Sequence, residues 1–284
     1  GQITYLKKGE VSGNILNQFS MDDYKGYFRI ATTSYKEQES NNLYILDDTL
    51  TLCGSIEGIA PSERIFSARF MGDRGYMVTF RQVDPLFVID ISDPENPKIL
   101  GNLKIPGYSD YIHPVDENHI LGFGKDANEQ GLYQGMKMAL FDVSDVENPK
   151  QKFSEIIGDR GTESALLQNH KALLYLPEKN ILAFPVTVRE VQEKDQYASA
   201  YGQLTFSGAY VYSFNTQDGF SLKGKITHLT KDELLKLGNY VDAGKEISRI
   251  LYANGSLFTT SNDRIQAHTA DGIELQKSID IANK

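Results

Sequence analysis

The sequence has 284 residues, 40% of them hydrophobic and 24% charged, which is typical of a globular protein able to bury a sizeable core. Its net charge of −9 disfavours nucleic acid and anionic membrane surfaces as partners, because both require a basic surface. No apolar run reaches about 18 residues, so we expect no membrane insertion.

One stretch of the chain occurs twice. Residues 86–107 read LFVIDISDPENPKILGNLKIPG, which is an apolar run, an Asx/Pro turn and a second apolar run. The pattern returns at residues 138–153 as MALFDVSDVENPKQKF. Two copies of strand, turn and strand indicate a repeat array.

The residues before this stretch extend the repeat to four strands. Residues 65–70 and 76–80 are β-rich runs separated by Gly-Asp-Arg-Gly, which predicts a hairpin. With strands at 86–92 and 98–105, the segment holds four short antiparallel strands in about 45 residues, the content of one propeller blade.

The same four-strand unit fits the chain five times. Its second strands begin at Tyr27, Tyr76, Ile120, Ile181 and Leu257, each after a polar turn. The sequence therefore predicts one all-β domain over 1–284, a β-propeller of four-stranded blades at about 14–58, 63–107, 109–157, 170–228 and 246–280. The five blades either close as a ring or belong to a larger one.

Three segments fall outside the repeat. Residues 1–12 resemble an extra outer strand, either pairing across the ring closure or belonging to a preceding blade of a longer chain. Residues 189–207 are a polar insertion that extends a hairpin or forms a flap. Thr230 and Glu233 form a capping box, which predicts one short surface helix near 231–237.

Three segments carry a family resemblance: NQFSMDDYKGYFRIATT (17–33), the stretch from Glu63 to Asp126, and HKALLYLPEKNILAFPV (170–186). They resemble secreted bacterial and archaeal proteins with a C-terminal β-propeller domain, distantly similar to WD40 repeats. The strand–turn–strand piece also resembles the LVIVD-type repeat of surface proteins. The resemblance covers nearly the whole chain and implies an exported propeller without defined catalytic residues, usually longer than this chain.

Candidate binding residues lie on the inner strands and in the insertion. Arg69, Asp110 and His113 fall in first strands, which border the channel of a propeller, and Tyr108 lies in the loop just before one of them. Asp110 and His113 differ by three positions, so a regular strand points them to opposite sides. The alternative is a solvated histidine and a turn-capping aspartate.

Aromatic side chains in loops support a binding function. Tyr197 and Tyr201 lie in the insertion, where a rigid amphipathic ring loses little entropy when it contacts a partner. The alternative is that such rings only cover the blade faces.

Asp126, Asn128 and Gln130 mimic the first half of a calcium loop, with oxygen donors at alternate positions before Gly131. The twelfth position is Lys137, where a bidentate acid belongs, so an ordinary hairpin loop is the competing interpretation. Calcium is the only cofactor that the sequence suggests.

Acidic residues also stand beside the repeated turns. Asp90 and Asp93, with Asp142 and Asp145 in the second copy, are interpreted as Asx turns that hold the corner between two strands. A metal site at these acids is the weaker alternative.

Motifs of known propeller enzymes are missing. Trp, on which sialidase-type Asp boxes and quinoprotein propellers depend, does not occur, and neither does a G-x-S-x-G elbow. We expect a non-catalytic exported module at the cell surface that binds a protein or a surface glycan, or acts as a scaffold. The alternative is a calcium-dependent hydrolase of the lactonase or phosphatase type with channel carboxylates.

Overall fold

A computed structural model describes residues 2–35, 38–80, 84–128, 131–192, 197, 199–236, 238 and 240–281. These ranges contain twenty strands in five four-stranded antiparallel sheets, each with its strands in chain order. The predicted all-β architecture of five repeated four-strand units is thereby confirmed. None of the helices in the described ranges has the length and apolar character needed to cross a membrane.

The first sheet comprises β1 (Met21–Tyr24), β2 (Tyr27–Ser34), β3 (Ser40–Leu46) and β4 (Leu52–Ile59). The second comprises β5 (Arg64–Met71), β6 (Arg74–Phe80), β7 (Asp84–Asp90) and β8 (Lys98–Ile105). The third comprises β9 (Tyr108–Asp116), β10 (His119–Ala127), β11 (Tyr133–Asp142) and β12 (Lys150–Ile157).

The fourth sheet comprises β13 (Leu174–Leu176), β14 (Ile181–Glu190), β15 (Gln203–Asn215) and β16 (Gly219–Ile226). The fifth comprises β17 (Arg249–Ala253), β18 (Ser256–Thr260), β19 (Arg264–Thr269) and β20 (Leu275–Asp280). One α-helix, α1 (Lys231–Leu235), lies between β16 and β17 in the chain. Short 3₁₀ helices lie at Gln18–Ser20, Ala165–Leu167, His170–Ala172 and Pro177–Lys179.

The chain divides into two compact units, residues 1–122 with 141–151 and residues 123–140 with 152–284. In the first unit, alternate residues of β2 and β3 point into one apolar core, where Ala31, Leu43 and Ile45 are almost fully buried. Ile65 and Met77 of the second sheet pack into the same cluster. In the second unit, the core gathers Ala183, Val211, Ile226, Ile250 and Leu257.

The repeated turn chemistry forms as expected. Oδ1 of Asp90 accepts a hydrogen bond from the Ser92 amide at 2.9 Å, and Oδ1 of Asp142 accepts one from the Ser144 amide at 3.0 Å. Asp93 likewise accepts from the amide of Glu95, at 3.1 Å. The predicted Asx turns are thereby confirmed.

The structure differs from the expectation at the amino-terminal segment. An extra outer strand was expected at residues 1–12, but residues 2–12 form no strand and belong to none of the five sheets. The backbone at Gly9 nevertheless comes close to the turn before β4: a Cβ added at Gly9 would lie 3.0 Å from Cβ of Leu50.

The described parts of the two segments that interrupt the repeat are an extended hairpin and a short helix. β14 and β15 extend the hairpin to Glu190 and Gln203, with an irregularity between Val188 and Arg189. Residues 193–196 and 198 of the predicted flap lie outside the described residues. Helix α1 is capped as predicted, because Thr230 Oγ1 accepts from the amide of Glu233 while the Glu233 carboxylate accepts from the amide of Thr230.

Candidate binding site

A cavity of about 290 Å³ in the first unit has Asp110 in its wall. The other polar or aromatic residues that line it are Asn14, Thr33, Tyr35, Arg64 and Phe66, and the aliphatic ones are Ile15, Leu16 and Ile65. Of these, the sequence identified Asp110 as a candidate. The remainder come from segments far apart in the chain, so no local motif indicates them.

A buried polar network holds one wall of this cavity. The backbones of Asn14 and Thr33 exchange two hydrogen bonds of 2.9 Å, which fix the segment that carries Ile15 and Leu16. The Thr33 hydroxyl donates to Oδ1 of Asn41 at 2.9 Å and accepts from the Ile65 amide at 3.2 Å. The first sheet is therefore joined to β5 at the cavity.

The opposite wall depends on the contact between β5 and β9. Ser67 Oγ donates to the carbonyl of Ser109 at 2.7 Å, which sets Asp110 near Phe66. The guanidinium carbon of Arg64 lies 4.9 Å from the centre of the Phe66 ring, a cation–π distance. Phe66 is supported from behind by Tyr108, at 4.8 Å between ring centres.

Tyr108 is thus a supporting residue. Its ring also packs on Phe80 at 4.7 Å, and Phe66 and Phe80 are 5.5 Å apart, so three rings contact one another. Aromatic contacts of this kind contribute about 0.5–1.5 kcal/mol each beyond area burial. The cluster makes the position of Phe66 rigid.

Arg69 and His113 belong to a second cluster in the same unit. The Tyr111 hydroxyl lies 2.9 Å from Nδ1 of His113, two positions along β9, whereas Asp110 lines the cavity. The guanidinium carbon of Arg69 lies 4.1 Å above the Phe19 ring and 6.0 Å from that of Tyr111. Burial lowers the pKa of Arg69 and raises that of Tyr111.

The cavity around Asp110 combines groups that suit a ligand with one apolar face and a polar edge. The Phe66 and Tyr35 rings offer flat apolar surfaces, and Tyr35 is 60% exposed. Asp110 supplies hydrogen-bond acceptors, Arg64 supplies hydrogen-bond donors, and the side-chain amide of Asn14 supplies both. Polar groups placed beside apolar surfaces fix the orientation of a bound molecule.

The insertion residues lie in the second unit. Tyr197 and Tyr201 are 66% and 60% exposed. The Tyr201 hydroxyl lies 2.6 Å from that of Tyr133, and the Arg160 guanidinium carbon lies 4.6 Å from the Tyr133 ring and 5.2 Å from the Tyr201 ring. Tyr201 is therefore held in place, with much of its ring open to a partner.

Of the predicted calcium-loop residues, Asp126 lies in β10 and Asn128 directly follows that strand. Asn128 Oδ1 accepts from the Leu132 amide at 3.0 Å, and the ammonium group of Lys137 lies 3.9 Å from Oδ1 of Asp126. Burial raises the pKa of Asp126, and Lys137 opposes this shift. Gln130 lies outside the described residues. Across the described ranges, no three His, Cys, Asp or Glu side chains are grouped so as to hold a metal.

A larger cavity of about 490 Å³ lies wholly within the second unit. Its polar lining includes Glu163, Thr187 and Glu246, and the Thr187 hydroxyl donates to Oε1 of Glu246 at 3.3 Å. Lys125, only 4% exposed, lies 2.9 Å from Oε1 of Glu163. The sequence did not indicate this cavity, because its residues come from four separate segments.

The five four-stranded antiparallel sheets, each with its strands in chain order, define the chain as a repeat protein of the propeller class. A family model described as "Beta propeller domain" matches residues 1–273, so the chain belongs to that family.

Two archaeal proteins described only as uncharacterized are similar to this chain. One, from Methanocaldococcus jannaschii, is 36% identical over 252 residues, which cover 84% of this chain and 39% of that protein. The other, from Archaeoglobus fulgidus, is 47% identical over 175 residues, covering 62% of this chain and 27% of that protein. The chain thus spans well under half the length of these relatives.

Proposed function

We propose that this β-propeller is an exported, non-catalytic binding module of the cell surface, and that it binds a surface glycan in the cavity around Asp110. The observation that carries the proposal is the combination of the Phe66 ring with Asp110, Arg64 and Asn14 in one cavity of about 290 Å³. A sugar ring presents an apolar face for the aromatic ring and hydroxyl groups for the polar side chains.

The geometry supports a preorganised site. Phe66 is fixed by Tyr108 and Phe80, and the opposite wall by the backbone pairing of Asn14 with Thr33. Preorganisation reduces the entropy that binding must overcome, which matters for sugars because their hydroxyl groups also lose hydrogen bonds to water.

The proposal is tested by capture on a panel of immobilised glycans. The wild-type chain is compared with Asp110→Asn, which keeps the size of the side chain and removes its charge. The control is Asp48→Asn, an exposed acid in the turn after β3. We expect Asp110→Asn to lose at least about tenfold in affinity for the captured glycan while Asp48→Asn binds normally. Capture of no glycan, or equal binding by the two variants, contradicts the proposal.

Location at the cell surface has its own test. The untagged protein is followed by fractionation of cells that produce it from its natural gene. Recovery in the envelope or the medium agrees with the proposal, and recovery only in the cytoplasm contradicts it.

A further inference from the structure

The fifth sheet differs from the other four in the burial of its two faces. Each of the other four contains a strand whose residues are buried one after another, at 41–46, 75–79, 120–125 and 181–186. Such a strand is covered on both faces. In β18 and β19, buried residues alternate with partly exposed ones. In the described part of the chain, the fifth sheet is therefore covered on one face only.

The covered face packs on the fourth sheet. Ile250 and Leu257 are almost fully buried in one cluster with Ala183 and Val211. Residues that follow one another along a strand point to opposite faces, so the neighbours of Ile250 and Leu257 belong to the other face of the sheet.

This other face, called the open face, is apolar at its centre. Strand pairing places five apolar side chains side by side on it, namely Leu251, Phe258, Ile265, Ala267 and Ile279. Leu251 is 50% exposed and Ile279 is 47% exposed. The charged side chains of the same face are Arg249 and Lys277, which are both basic. A contiguous exposed apolar surface with a polar rim is typical of an interaction site.

The position of Lys277 in the repeat indicates what kind of partner the open face fits. In four sheets, the pairing of the third and fourth strands becomes irregular directly after one pair of residues. These pairs are Ile45 with Gly54, Val88 with Gly101, Val211 with Gly224, and Ala267 with Lys277. Lys277 thus occupies in the fifth sheet the place that glycine occupies in three others.

The next sheet approaches each of these three glycines. A Cβ at Gly54 or Gly101 would lie 2.8 or 2.6 Å from the carbonyl oxygen of Glu95 or Glu147, and one at Gly224 would lie 2.8 Å from Cδ1 of Ile273. All three neighbours belong to the turn between the third and fourth strands of the following sheet. Lys277 is exposed, so in the described part of the chain no such turn lies over it.

The charge of these turns complements the open face. Each of the five turns between third and fourth strands contains an acidic residue, namely Asp47, Asp93, Asp145, Asp218 and Asp271. A further turn of this kind over Lys277 would bring opposite charges together at a partly covered position, where their attraction is stronger than in bulk water.

The amino-terminal segment makes the same kind of contact at the first sheet. A Cβ at Gly9 would lie 3.2 Å from the carbonyl oxygen of Leu50, in the turn between β3 and β4. Residues around Gly9 therefore lie where the outer strand of a sheet before β1 would lie. The two archaeal relatives are also much longer than the parts that this chain matches. Both observations favour a repeat that continues beyond five sheets.

We propose that the open face of the fifth sheet docks a further four-stranded sheet of the same repeat, which the same polypeptide carries outside residues 1–284. The docked sheet packs its apolar side chains on Leu251, Phe258 and Ile279, and its acidic turn lies over Lys277. Sheets that pack face to face interdigitate the side chains of their inner faces, which gives the fifth sheet the second cover that the other sheets have.

The test compares the chain 1–284 with the native protein, which is the product of its natural gene purified from its own cells. Both are exposed to hydroxyl radicals, and the oxidation of each side chain is measured by mass spectrometry. We expect Leu251 and Phe258 to be oxidised at least about threefold more slowly in the native protein, because interdigitated side chains exclude water. The control is Leu222 of β16, 41% exposed, which should react equally in both proteins.

A charge reversal tests the position of the acidic turn. Lys277→Glu should lower the melting temperature of the native protein by at least about 2 °C, because it places two acids together. The same change should leave the chain 1–284 within about 1 °C, because Lys277 is exposed there. The matched control is Lys171→Glu, at another exposed lysine, which should affect both proteins alike.

Several results would overturn the proposal. Equal oxidation of Leu251 in both proteins would show that nothing covers the open face, and an equal effect of Lys277→Glu on both would remove the acidic turn. A dimer of the chain 1–284 that Leu251→Glu dissociates would assign the face to a second copy. Protection of Leu251 only in the presence of cell extract would assign it to a different protein.

Discussion

Gly219 fits against the ring of Phe153 so closely that a Cβ at Gly219 would lie 2.7 Å from Cγ of the phenylalanine. Gly219 begins β16, directly after the turn from β15, and Phe153 lies on β12, the outer strand of the preceding sheet. Two features require glycine at this turn. Its φ of +77° is a conformation that L side chains rarely adopt, and the Phe153 ring leaves no room for a Cβ.

At two other contacts the glycine lies on the last strand of a sheet, and a turn of the next sheet approaches it. A Cβ at Gly54 of β4 would lie 2.8 Å from the carbonyl oxygen of Glu95, and one at Gly101 of β8 would lie 2.6 Å from that of Glu147. Glu95 and Glu147 belong to the two repeated Asx/Pro turns. Each turn therefore docks on the outer strand of the sheet before it, which explains why the turn is repeated.

This packing predicts a large effect of a side chain at Gly101. Gly101→Val places two methyl groups against the backbone at Glu147, which cannot move away like a flexible side chain. We expect the free energy of unfolding to fall by about 2–4 kcal/mol, measured by urea denaturation. Gly272→Ala is the control, because its nearest neighbours would be 3.4 Å from the new Cβ and a change within about 0.5 kcal/mol is expected. Equal stability of both variants would contradict this account.

The ion pair between Asp22 and Arg29 predicts a second effect. Arg29 is 2% exposed, its Nε and Nη2 donate to Asp22 at 2.7 and 2.5 Å, and its guanidinium lies 4.7 Å from the Tyr24 ring. Asp22→Asn leaves the buried guanidinium without its counter-charge and should cost about 3 kcal/mol. The double variant Asp22→Asn with Arg29→Met should recover most of this loss in the same denaturation assay, whereas additive losses would show that the charge is not the cause.

Buried histidines in the second unit predict acid sensitivity. His228 is 1% exposed and lies 2.9 Å from the hydroxyls of both Thr259 and Ser261. Burial, with smaller effects of Arg264 and His268, lowers the pKa of His228 to about 4. Burial also lowers the pKa of His268.

Because the folded state requires neutral His228 while the unfolded state titrates near pH 6.5, its contribution to stability is complete above about pH 6.5 and is lost as the pH falls toward 4. The loss at His228 reaches at most about 3 kcal/mol. Denaturation midpoints between pH 7.5 and 4 measure it, and His228→Gln should flatten the decline. An identical decline in the variant would assign the acid sensitivity to other groups.

The calcium-dependent hydrolase alternative yields a prediction of its own. Lys137 lies near Asp126, and Asn128 is engaged by the Leu132 amide, so neither supports a tight cation site in that hairpin. We expect millimolar Ca²⁺ or EDTA to leave the melting temperature within about 1 °C. A large rise with Ca²⁺ that is abolished by substituting acidic residues around the channel would restore the hydrolase interpretation, and one abolished by Asp126→Asn would restore the calcium loop.

The repeat was accessible from the sequence because turn residues and alternating apolar residues are local signals. The strands predicted at 65–70 and 98–105 lie at Arg64–Met71 and Lys98–Ile105, and the Thr230–Glu233 capping box marks the start of α1. Strand alternation also separates Asp110 from Tyr111 and His113. Periodicity and capping depend only on near neighbours in the chain.

The cavities were not accessible in the same way. Asn14, Arg64 and Asp110 meet only because the segment before β1 comes together with β5 and β9, and the bulge that places Glu57 and Gly58 beside Asn42 depends on the pairing of β3 with β4. Gly13 and Gly58 were the sequence signals for these close approaches, but a glycine in a sequence does not show which part of the fold lies next to it. Contacts between side chains that are 30 or more residues apart in the chain could therefore be identified only from the structure.

Isothermal titration is the most direct test of glycan binding at the Asp110 cavity. The best-captured glycan is titrated into the wild-type chain and into Phe66→Leu, which removes the ring next to Arg64 but keeps an apolar side chain. We predict a dissociation constant at least about tenfold higher in the variant, equivalent to about 1.4 kcal/mol of binding free energy. Equal dissociation constants for the two proteins would contradict the central claim.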